Sequence, residues 1–254
     1  MLLVLDVGNT NIVMGMAQGE EVRHHWRLTT CPRTTDEFGL ILVQHLGLQG
    51  LGPKDVHGAA ISCVVPSLLY GLEKAIRRYL EVDALVIGRG TRTGMRVHTD
   101  NPREVGADRI VNAVAARERY GAPVVIVDFG TATTFDCVDA EGDYVGGAIA
   151  PGFQISAEAL YARTAKLPRI ELERARAAIG TNTVASMQSG LYWGYVGLVD
   201  GIARRCKAEL GGDSACVATG GLANMVASDS EEIDRVDDFL TLDGLRLLWE
   251  RNRP

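Results

Sequence analysis

LLVLDVGNTN (Leu2 to Asn11), near the start of the chain, and VVIVDFGTAT (Val124 to Thr133), near its middle, share one grammar. Each is an apolar run, an aspartate, one further residue, then a turn of glycine and small polar side chains. Apolar runs bounded in this way read as buried strands ending in tight turns. Asp6 and Asp128 stand about half a chain length apart in 254 residues, which points to an internal duplication.

The segments downstream of the two copies repeat as well. After the first, Ile12 to Ala17 and Val22 to Leu28 read as strands, Thr35 to Leu46 as a helix with Asp36 and Glu37 in its first turn, Gly58 to Cys63 as a strand, Pro66 to Leu80 as a helix and Ala84 to Ile87 as a strand. After the second, strands are expected at Thr133 to Val138 and Tyr144 to Ile149, with Glu141 to Asp143 as a hairpin loop. Helices at Phe153 to Tyr161 and Val184 to Leu210, a strand at Ala215 to Thr219 and a terminal helix from Leu242 complete the half. No linker rich in Pro, Gly and Ser separates the halves, so the expected division is a domain of residues 1–117 and a domain of residues 118–254 sharing a cleft.

A strand ending in Asp and turning through Gly-Asn-Thr or Gly-Thr-Ala-Thr offers a fixed carboxylate, backbone N–H groups and short polar side chains. Those are the parts of a phosphate cradle, because consecutive N–H groups form an anion nest and glycine lets the backbone approach the oxygens. A carboxylate beside polyphosphate repels it, so its work there is to hold a neutralising cation. The alternative for either copy is an ordinary hairpin whose Asp makes a local turn bond. Neither G-x-x-x-x-G-K-[ST] nor a strand-following G-x-G-x-x-G is present.

Bulk properties narrow the classes. The chain is 46% hydrophobic and 23% charged with a formal net charge of −6, and it lacks Lys/Arg blocks, which argues against nucleic acid or anionic membrane as partner. The opening apolar run is far short of a membrane span. Five cysteines without a C-x-x-C pair or a secretory leader read as reduced thiols of a cytoplasmic protein. His24 and His25 are adjacent and point to opposite faces of a strand, so they make no metal pair.

Between the loops, Asp100 to Arg109 opens what reads as one helix continuing through Ala115, with Asn101 as N-cap, Pro102 at the first position and Glu104 completing a capping box. Small Gly106 and Ala107 precede Asp108, leaving its carboxylate accessible, and Arg109 adds a cation. Such a carboxylate can accept an alcohol proton during attack on a phosphate; the alternative is a solvated Asp and Arg on a helix surface.

The paired loops resemble the duplicated phosphate loops of the acetate kinase, sugar kinase and actin superfamily. The implied fold is α/β: two duplicated actin-like (ribonuclease H-like) domains with a nucleotide cleft between them. In that superfamily a Gly-Gly turn after a late strand meets the nucleoside, and Gly220-Gly221 fits, although a plain strand-to-helix turn would look the same. More specifically, Asp6-Val7-Gly8-Asn9-Thr10-Asn11, Asn101-Pro102 with Gly106-Ala107-Asp108-Arg109, Asp128-Phe129-Gly130-Thr131-Ala132-Thr133 and Gly146 to Gly152 stand in the order and spacing of type III pantothenate kinases.

That resemblance implies ATP-dependent phosphorylation of pantothenate, the first step toward coenzyme A. It implies ATP binding by Asp6, Val7, Gly8, Asn9, Thr10, Asn11, Ile12, Val13 and Thr131, and pantothenate binding by Gly106, Ala107, Asp108, Arg109 and Thr183, with Asp108 as proton acceptor. It further implies a monovalent cation, potassium or ammonium, at Asp128, magnesium with ATP near Asp6 through water, and a cytoplasmic homodimer. Backbone and hydroxyls of Gly8 to Asn11 and Gly130 to Thr133 are then expected on phosphates. Two positions depart from the pattern: Thr99 stands where many members have a tyrosine, and Thr181 where many have a basic residue. The alternatives are a kinase of the same superfamily for another small alcohol or acid, and a non-catalytic regulatory accessory factor. Gly190, Gly194, Gly197 and Gly201 mark one helix for close approach, either to a partner subunit or to the sheet beneath.

Overall fold

The computed structural model describes residues 1–253, and the chain divides into two units. The first comprises Met1–Arg96, Asp100–Ala115 and the segment from Phe239 onward; the second comprises Val97–Thr99 and Ala116–Asp238.

In the first unit the run LLVLDV forms β1 (Leu2–Val7), the centre of a five-stranded sheet in which all but Asp6 are buried. β2 (Asn11–Gln18) returns antiparallel to β1, and β3 (Glu21–Thr29) runs antiparallel to β2 at the edge, where alternate residues are exposed as expected of a strand open on one face. Helix α1 (Thr35–Leu48) starts at a capping box: the Glu37 amide donates to the Thr34 hydroxyl while the Thr34 amide donates to the Glu37 carboxylate at 2.7 Å. β4 (Gly58–Cys63) lies parallel to β1 on its other side, then α2 (Pro66–Leu80) and β5 (Ala84–Val86), giving the order β3-β2-β1-β4-β5. Phe38, Leu42 and Leu46 of α1 and Leu68, Leu72 and Ile76 of α2, spaced to share a helical face, pack on Leu3, Leu5 and Met14 of the sheet.

The expected single helix from Asn101 is two pieces. Asn101 caps one 3-10 turn, Pro102–Glu104, and its side-chain amide donates to Glu104 at 2.7 Å, leaving the capping box incomplete. Val105 is extended, and α3 (Ala107–Tyr120) begins only after Gly106. Glycine costs about 1 kcal/mol in a helix interior, so the break falls where continuation is weakest. Asp108 therefore stands in the first turn of α3.

The second unit repeats the plan. β6 (Val124–Phe129) is central, with β7 (Ala132–Val138) and β8 (Tyr144–Pro151) forming antiparallel pairs on one side. After α4 (Phe153–Ala162) and α5 (Thr183–Glu209), β9 (Ala215–Gly220) adds parallel to β6. Short α6 (Ala223–Ala227) and the two-residue β10 (Arg235–Val236), neither visible as a periodic pattern, give the order β10-β9-β6-β7-β8. That order is the first sheet's, strand for strand, and it bears out the duplication.

The last helix, α7 (Leu240–Asn252), comes after β10 as α3 comes after β5, yet it belongs with the first unit, on the other side of the expected 117/118 division. The reason is packing. A Cβ at Gly58 would meet the Trp249 ring at 2.6 Å and one at Gly15 would meet Leu242 at 2.9 Å, so two sheet glycines make flat seats for α7. Gly244 in turn rests against the Val111 backbone carbonyl of α3. Gly244→Ala would place its methyl 2.7 Å from the Val111 side chain. Overpacking of this kind costs about 1–3 kcal/mol, and thermal denaturation should show a fall of several degrees; an unchanged Tm would contradict this contact.

Candidate active site

The first loop joins β1 to β2. Val7 pairs with Ile12, so Gly8 to Asn11 form the turn, closed by the Gly8 amide donating to the Asn11 carbonyl at 3.0 Å. Thr30, just past β3, clamps it twice: its hydroxyl donates to the Gly8 carbonyl at 2.7 Å and its amide to the Thr10 carbonyl at 2.9 Å. Both carbonyls are thereby drawn into the protein, which removes negative dipole ends from the path of an incoming anion. Asn9 and Thr10 are exposed, whereas Val7 and Ile12 are buried. Any part Val7 and Ile12 play in nucleotide binding is through their backbone.

Asp6 stands opposite Ser62 on parallel β4. The Ser62 hydroxyl is wholly buried without a hydrogen-bond partner, an orphaned polar atom on the same face of the sheet as the carboxylate. One position on, the Cys63 thiol donates to the Val65 carbonyl at 3.3 Å; burial, with a smaller contribution from the Asp6 charge, pushes it above the usual thiol range. It is protonated at neutral pH and is no nucleophile.

Also in the first unit, the Asp108 carboxylate accepts the Arg109 amide at 2.8 Å and folds over Gly106, where a Cβ would collide with its Oδ1. The space opened by the small residue is occupied by the carboxylate itself. Gly106, Ala107, Asp108 and Arg109 are all half-buried.

The second loop, in the other unit, joins β6 to β7. Phe129 pairs with Thr133, leaving Gly130, Thr131 and Ala132 as the turn, with Gly130 and Thr131 exposed. Gly152, the N-cap of α4, lies against it: a Cβ there would collide with the Thr131 carbonyl and sit 2.9 Å from that of Gly130. Gly220, at φ +93°, is equally constrained, since a Cβ would lie 2.7 Å from both Asp128 Oδ1 and the Phe129 carbonyl. These two oxygens lie against Gly220, a pair of hard oxygen donors. Thr133 departs from the expectation that hydroxyls through this stretch face phosphates: it is wholly buried, and its hydroxyl bonds that of Tyr195.

Thr183 opens α5 behind its N-cap Asn182, whose side chain accepts the Ala185 amide at 2.9 Å. It lines an open groove of about 680 Å³ with Thr181, Ser186, Met187 and Leu160. Of the α5 glycines, a Cβ at Gly190, Gly194 or Gly197 would meet no described atom within 4 Å, so the sheet beneath is not what they accommodate.

The structure thus brings Asp128 and Thr131 into one hairpin and Asp6 to Val13 into another, sets Gly106 to Arg109 at a helix start, and places Thr183 at a second helix start. Thr30, Gly152 and Tyr195, which shape the loops, were not legible as site residues; of these only Gly152 belongs to a motif visible in the sequence. Among the described residues no group of three or more His, Cys, Asp or Glu could hold a metal, and no helix is long and apolar enough to cross a membrane.

The type III pantothenate kinase family model matches residues 2–205. A type III pantothenate kinase of Moorella thermoacetica is 53% identical over 253 residues, covering 99% of this chain and all of that protein. One from Anaeromyxobacter sp. is 54% identical with both chains fully covered. The solved inorganic polyphosphate/ATP-glucomannokinase from Arthrobacter sp. strain KM superposes with a TM-score of 0.56 at 15% identity, covering 99% of each chain, a likeness of fold. With twin strand–Asp–turn hairpins in matching sheets and more than half its residues shared end to end with proteins of that name, the chain belongs to the type III pantothenate kinase family.

Proposed function

We infer that this chain transfers the terminal phosphoryl group of ATP to pantothenate, the first step of coenzyme A biosynthesis. The full-length likeness to type III pantothenate kinases carries this reading. The acids to which this reading gives roles are Asp6, Asp108 and Asp128.

Each hairpin is a phosphate contact for ATP, the first through the backbone of Gly8 to Asn11 and the second through the backbone of Gly130 to Ala132 and through Thr131. The withdrawal of the Gly8 and Thr10 carbonyls onto Thr30 supports this. Asp108 accepts the proton of the pantothenate hydroxyl as that oxygen attacks the terminal phosphorus, and ADP leaves. Gly106 to Arg109 hold the acceptor. Thr183 contributes a hydroxyl at the N-terminal end of a 27-residue helix, an end whose dipole suits the pantothenate carboxylate.

Magnesium bound with ATP supplies charge neutralisation along the phosphates. Asp6 would hold it through water, and the orphaned Ser62 hydroxyl fits a hydrated neighbour. Asp128 and the Phe129 carbonyl would hold potassium or ammonium beside Gly220. We place the enzyme in the cytoplasm as a homodimer; Gly190, Gly194 and Gly197 of α5, at each of which a Cβ would meet no described atom within 4 Å, leave room for the approach of a second copy.

Incubation with ATP, magnesium, potassium and pantothenate should yield phosphopantothenate by mass spectrometry. Asp108→Asn should cut kcat at least about tenfold while ATP binding is kept, general-base help being worth about 10²–10⁴-fold; unchanged turnover would remove Asp108 from the reaction. At Gly130 an added Cβ meets only the Ala132 carbonyl at 3.4 Å and Asp128 Oδ1 at 3.9 Å. Gly130→Ala should therefore keep its Tm yet raise KM for ATP about tenfold by obstructing the approach of phosphate. An unaltered KM would remove this turn from the nucleotide site.

A further inference from the structure

Tyr195, on α5, packs directly against the second loop. Its ring is 5% exposed and stands between Phe129 and Phe153, with centroid separations of 6.0 and 4.9 Å. Its hydroxyl bonds the Thr133 hydroxyl and also meets the Phe153 backbone. Phe129 and Thr133 are the register pair that closes the hairpin. Phe153 opens the helix whose preceding residue, Gly152, abuts the Gly130 and Thr131 carbonyls. One hydroxyl therefore ties together both backbone segments that shape the turn.

A buried tyrosine hydroxyl requires partners, and a phenylalanine would fill the same apolar space without them. Burial pushes the Tyr195 hydroxyl above its ordinary range, so it stays protonated and can donate near neutral pH. Thr133 is inaccessible, so whatever the pair does for a nucleotide passes through the backbone of residues 130 to 132.

We propose that Tyr195 is a positioning residue for phosphoryl transfer: through Thr133 and Phe153 it holds Gly130 and Thr131 in the shape that receives the phosphates of ATP. This rests on the reading of that turn as a phosphate site. A turn already held in its binding shape has no ordering cost to meet when the nucleotide arrives. A turn released from Tyr195 meets that cost in each binding event.

The test compares Tyr195→Phe, Thr133→Val, their double variant, Gly130→Ala and Tyr144→Phe. The last removes another buried tyrosine hydroxyl in the same unit, one that donates to Asp136 at 2.7 Å, and so controls for lost stability. Tm, kcat and both KM values are measured for each. Residues acting through one bond are non-additive, so Tyr195→Phe and Thr133→Val should each raise KM for ATP about tenfold and the double variant no further. KM for pantothenate should hold in all, and Tyr144→Phe should lose Tm without moving KM for ATP. A Tyr195→Phe enzyme with lowered Tm and wild-type KM for ATP would overturn the inference, as would additive single effects. If Gly130→Ala raises KM for ATP while Tyr195→Phe does not, this inference alone fails. If neither does, the phosphate reading of the turn fails with it.

Discussion

On the reading proposed above each hairpin turn receives phosphate, which requires that it present amides and withdraw carbonyls, and the strand frame sets where those groups stand. β1 and β6 each have an antiparallel neighbour on one side and a parallel neighbour on the other. Both turns follow the carboxyl ends of these central strands, the end at which open α/β sheets bind ligands. Asp6 and Asp128 occupy the next-to-last position of their strands, one residue short of the turn. The backbone of each aspartate is thus fixed by strand pairing on both flanks.

The duplication preserved this frame and changed how each turn is restrained. The first spans Gly8 to Asn11 and is held by two hydrogen bonds from Thr30. The second spans Gly130 to Ala132 and has Gly152 against its carbonyls, while Gly220 abuts the strand end just before it. A side chain at either glycine would have to displace backbone, so here missing atoms do what the threonine does in the first half. The closing helices diverged too: α3 begins with the candidate base, whereas α7 spends its surface on Gly15 and Gly58 of the first sheet.

Much of the fold was legible because its strands are short apolar runs with turn residues at both ends; Gly58–Cys63 and Pro66–Leu80 read from the sequence with their observed limits. The errors have physical causes. Asn101, Pro102 and Glu104 are good starting residues for a helix, but they start a single turn because Val105 and Gly106 do not continue it. Thr133 looked like a phosphate ligand by its place in the motif, and only a side chain 62 positions later shows that its hydroxyl is spent inside the protein. Local spacing cannot reveal such a partner. The α5 glycines read as a mark of close approach, but a Cβ at Gly190, Gly194 or Gly197 would meet no described atom within 4 Å, so the sheet is not the neighbour they were expected to meet.

Backbone amide exchange tests the central claim most directly, because it reads the groups said to do the binding. On addition of one equivalent of a non-hydrolysable ATP analogue with magnesium, the amides of residues 9–11 and of residues 130–132 should each slow. Unchanged exchange in either turn while the nucleotide is bound would contradict the reading of that turn as a phosphate site.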